Sequence, residues 1–121
     1  MTDRAIPEEL DVHSKLWIER DGHVALSDWR AALLLAIDET GSLTAAADRM
    51  GVPYRTAWYK LKEIEEQLGV RLVDTHSGGS DGGGSSLTAE GQDILRRFRR
   101  IYADIEETVR RRFEQEFGGS L

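Results

Sequence analysis

Between Met50 and Tyr54 the chain reads Gly51-Val52-Pro53, and this triplet fixes how the segments on either side can fold. Proline holds φ at about −65° and is tolerated in a helix only within its first turn, so a helix on the C-terminal side begins at or just after Pro53. Glycine just past an apolar-periodic run closes a helix, so the one on the N-terminal side stops at Gly51. The preceding run, LTAAADRM, offers Thr44 as a cap and turns Ala46, Ala47 and Met50 inward. The following run, YRTAWYKLKEIEEQLG, places Ala57, Leu61, Ile64 and Leu68 at helical spacing, with Arg55, Tyr59 and Lys62 on the opposite stripe.

A short helix, a turn of about three to four residues and a second helix with a basic, aromatic outer face make a helix-turn-helix. The paired alanines let the helices approach closely. Arg55 falls in the first turn of the second helix, the end that reaches base edges in such motifs, and an arginine can bond guanine bidentately. The plain alternative is a solvated charge on an ordinary helix pair. A net charge of −6 argues against a nucleic-acid partner, because non-specific affinity for DNA comes from neutralising phosphates. The distribution of that charge answers the objection. Residues 1–40 carry nine acids against four bases, whereas residues 41–62 carry only Asp48 against Arg49, Arg55, Lys60 and Lys62.

The flanks extend the pattern. KLWIER and HVAL are separated by Asp21-Gly22, the dipeptide best suited to a two-residue type I′ hairpin. SDWRAALLLAIDETG then reads as a helix capped by Ser27 and stopped by Gly41, with Trp29, Leu33, Ala36 and Ile37 at helical spacing. Downstream, RLVDTH has strand composition, and SSLT can return antiparallel before a further helix capped by Thr88. Between them lies HSGGSDGGGSSLT, holding Gly78, Gly79, Gly82, Gly83 and Gly84. A phosphate-binding loop would need a lysine here, and none follows Lys62. A linker would need a second domain, but one long helix follows. The tract therefore reads as the tip of a β-hairpin wing, where glycines permit positive φ and let backbone N–H groups approach phosphates. A merely mobile loop is the competing reading.

The last segment, AEGQDILRRFRRIYADIEETVRRRFEQEF, places Ile94, Phe98, Ile101, Ile105, Val109 and Phe113 on one face, with Leu95 and Tyr102 alongside. At ~1.5 Å per residue it would reach ~43 Å, longer than a domain of this size covers on one side. An apolar stripe overhanging its own core needs a partner, which points to a homodimer. Folding back or fraying after Arg110 is the alternative. Arg96, Arg97, Arg99 and Arg100 are expected to pair with nearby acids rather than touch DNA. The resulting organisation is a flexible segment over 1–13, a winged helix-turn-helix over 14–88 with its wing at 71–88, a dimerisation helix over 89–117 and a tail at 118–121. The fold class is mainly α with small β.

Other functions lack their residues. With no cysteine, thiolate metal sites, disulfides and cysteine nucleophiles are excluded. His13, His23 and His76 show no metal-ligand spacing, no catalytic constellation is visible, and neither an enzyme nor a cofactor is expected. The longest apolar run has seven residues, over 31–37, against roughly 20 for a membrane span. MTDRAIPEEL lacks the pattern of a secretory signal, so no membrane association and a cytoplasmic location are expected. Trp58 remains open between base stacking and packing against core or wing.

GSLTAAADRMGVPYRTAW, followed by LVDTHSGG, GGG and LTAEG, resembles the N-terminal DNA-binding domain of ModE-type molybdate-responsive regulators, and more broadly the LysR-type winged helix-turn-helix. The resemblance covers roughly residues 14–110. It implies a homodimer that binds double-stranded DNA through Thr44, the leading part of the third helix and the wing. The implied contacts are Pro53, Tyr54, Arg55, Thr56, Tyr59, Lys60 and Lys62 on that helix, with Gly78, Gly79, Gly82, Gly83 and Gly84 on the wing. Two positions depart from the family: Pro53 stands where serine is usual, and Ser80-Asp81 where a basic residue is common between the glycine groups. The family senses molybdate through a separate C-terminal domain, and about 30 residues follow LTAEG here, so molybdate is not an expected ligand. The implied function is sequence-specific transcriptional regulation; the alternative is a winged-helix protein-interaction module that does not bind DNA.

Overall fold

Asp21 and Gly22 both hold positive φ, 53° and 81°, the combination a type I′ turn requires. In the computed structural model, which describes residues 9–76 and 84–118, this turn joins β1 (Trp17–Arg20) to β2 (His23–Ser27) as an antiparallel pair. The register jumps from Ile18 opposite Leu26 to Glu19 opposite Val24. Ala25 is thus the extra residue of a bulge, and Ala25 and Leu26 are both buried although strict alternation would send one outward.

Ser27 ends β2 and caps α1 (Asp28–Thr40), its hydroxyl accepting from the Arg30 N–H at 3.2 Å. Gly41 closes α1 in the left-handed conformation, φ 70°, donating to the Ile37 carbonyl. Helix α2 (Leu43–Met50) follows at once. Its cap is Ser42, whose hydroxyl accepts from the Ala45 N–H at 3.1 Å, and Thr44, expected to cap it, sits exposed one residue inside. The reason is the short connection: Gly41 completes α1 and leaves Ser42 in the extended conformation a cap needs. Helix α3 (Tyr54–Leu68) ends at Gly69, φ 72°.

From α3 the chain enters β3 (Val73–His76), which pairs antiparallel with β4 (Gly84–Leu87), Val73 opposite Leu87 and His76 opposite Gly84. Thr88 then caps α4 (Ala89–Phe117), accepting from the Gly91 N–H at 3.0 Å. The core lies where α1, α2, α3 and the first turns of α4 converge. Leu33, Leu34, Ile37, Ala46, Ala57, Ile64 and Leu72 are sealed from solvent there, and Leu95 and Phe98 of α4 close over them. Trp29, Met50 and Leu68, expected to face inward, are half-buried at its margin.

Two polar junctions hold this arrangement. Arg30, buried in α1, places Nη2 2.8 Å from Glu63 Oε1 on α3, while its Nη1 has no hydrogen-bond partner among the described residues. Glu63 is therefore what chiefly offsets a guanidinium held out of water. The hydrogen bond from Arg30 pulls the Glu63 carboxyl below its ordinary value of 4.5, with the charges of Arg30, Lys60 and His23 adding to the shift and partial burial opposing it. The second junction is at Gly91. A Cβ there would overlap the Leu72 carbonyl oxygen and lie 3.2 Å from Leu72 C and Cα, so only glycine lets α4 press on that backbone.

Two outcomes follow for stability. Gly91→Ala should gain up to ~1 kcal/mol of helix propensity yet lose more to overlap with a backbone that cannot swing aside, for a net loss of about 2 kcal/mol in urea unfolding. Glu63→Gln should cost about 1–2 kcal/mol at neutral pH, less than a fully buried pair because water screens Glu63. The Glu63 carboxyl is more acidic folded than unfolded, so the pair's contribution is full above about pH 4.5 and drains away as pH falls through the folded value. The gap between wild type and Glu63→Gln should accordingly narrow when unfolding is repeated near pH 3.

Candidate nucleic-acid interface

The turn between α2 and α3 is set by backbone hydrogen bonds alone. Gly51, φ 71°, donates to the Asp48 carbonyl at 3.1 Å, and Val52 donates to the Ala47 carbonyl at 3.0 Å. This is a Schellman closure, and Val52 packs back on the core as such closures favour. Ala46, Ala47 and Ala57 are at most 1% exposed, and no larger side chain would allow the two helices to sit so close.

Helix α3 starts differently. Pro53 occupies its cap position at φ −61° and ψ 150°, and no side chain accepts from the first-turn N–H groups. Those donors, and the positive end of the helix dipole, are left for whatever approaches the leading turn. Exposed at this end are Pro53, Tyr54 and Arg55, with Thr56 half-buried beside them. Tyr59, 60% exposed, stands one turn further on, and Trp58, 39% exposed, meets it edge-to-face at 5.2 Å between centroids. Trp58 thus stays outside the hydrophobic core. Its ring lies under the ammonium of Lys62, 5.6 Å away.

The basic groups on this face differ in how they are held. Lys60 is 3.9 Å from Glu63 and Lys62 is 3.3 Å from Glu65, both across one turn of α3. Arg49 of α2 is committed to Glu39 of α1 at 2.6 Å. Exposed pairs of this kind are worth about 0–1 kcal/mol, so a phosphate can displace them. Arg55 differs: among the described residues no carboxylate lies within ion-pair distance of it. Thr44 is exposed in the first turn of α2.

The wing root is tied to this surface at two places. Glu65 of α3 accepts from the N–H groups of Leu72, at 2.8 Å, and Val73, at 3.3 Å, fixing the first strand against the last turns of the helix. Ser85 of β4 donates to the Gly41 carbonyl at 2.8 Å, fixing the second strand against the α1–α2 connection. Gly84 lies at this contact, where a Cβ would come within 3.2 Å of the Gly41 oxygen. His76 Nε2 and Ser86 Oγ, 3.1 Å apart, link the strands beyond it. Gly78, Gly79, Gly82 and Gly83, expected to approach phosphates, lie outside the described residues. Glu65 was not singled out in the sequence, where it is one of several acids in KEIEEQ, and its spacing to Leu72 gives no local signal.

The stripe expected to join two copies divides in the structure. Leu95 and Phe98 are 5% and 2% exposed within the chain's own core, so they are not available to a partner. Ile94 and Tyr102 flank that core; the Tyr102 hydroxyl donates to the Ser14 carbonyl at 3.4 Å, and burial together with Asp28 and Glu106 raises its phenol pKa. Ile101, Ile105, Val109 and Phe113 retain accessible surface along the rest of α4. Arg96 and Arg97 both pair with Asp93, whereas among the described residues Arg99 and Arg100 form no ion pair. Among the described residues no cluster of three or more histidines and carboxylates could hold a metal ion, and no helix is long and apolar enough to cross a membrane.

Residues 30–92 match the model of the bacterial regulatory helix-turn-helix protein, lysR family. The molybdenum-pterin-binding protein MopB of Rhodobacter capsulatus is 35% identical over 92 residues, which cover 76% of this chain and 34% of that protein. The molybdenum transport protein ModE of Azotobacter vinelandii is 30% identical over 111 residues, covering 89% of this chain and 41% of that protein. The chain thus spans less than half the length of either relative. Among solved structures, that of a CbnR_DBD–DNA complex is similar over 72% of this chain and 94% of its own, with 26% identity and a TM-score of 0.57.

If Glu65 fixes the wing to α3, Glu65→Ala should accelerate hydrogen exchange at the Leu72 and Val73 amides by about tenfold or more while the interior of α1 stays protected. Unchanged exchange at those two amides would show that the wing root is held by its strand pairing alone.

Proposed function

Because the chain belongs to the lysR family of bacterial regulatory helix-turn-helix proteins, we propose that it is a sequence-specific DNA-binding transcriptional regulator and that it acts as a winged-helix homodimer. The observation that carries this reading is Arg55: a cation with no ion pair among the described residues, in the first turn of a helix whose own N–H groups are uncapped, between exposed tyrosines. Such a group is placed to enter a major groove and bond a guanine edge. Thr44, Lys60 and Lys62 then serve the phosphates on either side, the lysines exchanging weak intrahelical pairs for stronger partners. The wing is rooted through Glu65 and Gly41, and in this reading the backbone N–H groups of its glycine tract serve the phosphates of the duplex.

The solved neighbour supports the DNA-binding part of this reading through its complex with DNA. The homodimer reading rests on apolar residues of α4 that extend past the chain's own core, exposed Ile101 and half-buried Ile105, Val109 and Phe113. Two copies joined there present two reading helices to two half-sites, which multiplies a modest single-site affinity.

The test is DNA binding measured by fluorescence anisotropy across a salt series, on sites recovered from genomic DNA by pull-down and sequencing. Affinity should fall steeply with salt, and Arg55→Ala should cost about 1–3 kcal/mol on a selected site while relaxing preference at one base position. Binding that ignores salt, or an Arg55→Ala variant with unaltered sequence preference, would overturn the reading.

A further inference from the structure

The outward face of α3 is rich in aromatic rings. Arg55, Trp58, Tyr59 and Lys62 follow one another at the spacing of successive helical turns, with Tyr54 beside the first. Tyr54 and Tyr59 are 51% and 60% exposed, more than any other large hydrophobic side chain among the described residues. A single exposed ring needs no explanation, but three on one helix, all outside the core, mark a surface that meets something.

The rings are held in place. Trp58 and Tyr59 meet with their planes at 80° and their centroids 5.2 Å apart. The Lys62 ammonium lies over the Trp58 ring at 5.6 Å and 3.3 Å from one oxygen of Glu65, whose other oxygen accepts from the Leu72 N–H. Tyr59 is thus the outer end of a ladder that runs back to the wing root. A ring ordered in advance loses little freedom when a ligand meets it.

The chemistry of the face selects the ligand. The centre of a protein-binding surface is depleted of charge, whereas here Arg55 and Lys62 bracket the rings, which suits a polyanion. In a duplex the faces of the bases are closed by stacking, so a ring that enters the major groove meets only base edges. The apolar group on those edges is the C5-methyl of thymine.

We infer that Tyr59 determines specificity by packing its ring on the C5-methyl group of a thymine in the major groove, with Trp58 as a positioning residue that holds the ring there. This inference rests on the DNA-binding reading and names a base that the surface selects. Tyr59 lies one helical turn from Arg55, about 5.4 Å along α3, so the thymine falls within about two base pairs of the guanine that Arg55 bonds. The two residues divide the readout: Arg55 identifies its base by hydrogen bonds and charge, Tyr59 by the methyl group. Because Tyr59 carries no charge, it adds discrimination without adding affinity for DNA of any sequence.

The test replaces each thymine of a selected site, one at a time, by deoxyuridine, which lacks only the methyl group, and follows affinity by fluorescence anisotropy. Wild type and Tyr59→Phe should bind about three- to fivefold more weakly when one thymine near the Arg55-dependent guanine loses its methyl, as the burial of one such group implies. Tyr59→Ala should bind the thymine and uracil sites equally. Trp58→Phe, which keeps an aromatic ring beside Tyr59, should preserve the thymine-to-uracil ratio, and Trp58→Leu should lower it. That ratio compares two DNAs on one protein, so a general loss of stability does not move it. A wild type that binds with Arg55-dependent preference yet ignores every methyl overturns the inference and leaves DNA binding standing, as does a Tyr59→Ala variant that keeps the wild-type ratio. Single strands bound more tightly than the duplex would mean that the rings stack on bare bases, which also rejects it. A chain that binds no DNA overturns both readings.

Discussion

The backbone of Leu72 is where the rest of the fold is joined. Its N–H is held by the Glu65 carboxylate of α3, its carbonyl accepts the Thr88 N–H at 2.9 Å, and its side chain is sealed in the core. The Thr88 hydroxyl bonds the adjacent Arg71 carbonyl at 2.7 Å, and Gly91 lies against Leu72 from the first turn of α4. The reading helix, the root of the wing and the start of the long helix therefore meet at one peptide unit. The two hydrogen bonds to Leu72 satisfy backbone groups that burial would otherwise leave at a cost of a few kcal/mol. Position matters as much as energy here, because α3, the wing root and α4 keep a fixed mutual geometry only if their common origin is rigid.

Much of this was legible in the sequence, and the legible parts share a cause. Asp21-Gly22, Gly41 and Gly51 announce themselves because positive φ excludes most other residues, so a local identity reports a local conformation. The inward faces of α1 and α3 were readable for a similar reason, since helical period is a property of the segment itself. What escaped depends on distant partners. Ser42 and Thr44 both qualify as caps by composition, and only the path out of α1 selects Ser42. Arg30 and Glu63 read as ordinary surface charges, and Gly91 reads as a weak helix former. The apolar stripe of α4 is continuous in sequence, so nothing in it says that Leu95 and Phe98 are consumed internally while Ile105 and Phe113 are not.

The reading surface shows a division of labour that neither charge count nor motif reveals. Lys60 and Lys62 are held by acids of their own helix and Arg49 by Glu39, so most of the local positive charge is already answered within the chain. Such a surface is weakly attractive to any polyanion at a distance, and in the proposed function it would become strongly basic only where phosphates took over the lysines. A net charge of −6 acts in the same direction. Discrimination between sites is favoured over indiscriminate sticking, because the contact energy appears only at close and well-matched approach.

Helix α4 leaves the Thr88 cap with no intervening loop and runs unbroken through Phe117. A rod of about 43 Å clamped at one end is a lever. A tilt of a few degrees at the clamp moves its free end by several ångströms, and a force applied at the free end arrives at the wing root with corresponding mechanical advantage. The glycine at the clamp, flush against the Leu72 peptide, removes the slack that a side chain and its rotamers would introduce. Anything that grips the far turns can thereby steer the angle of the wing and the reading helix without touching either.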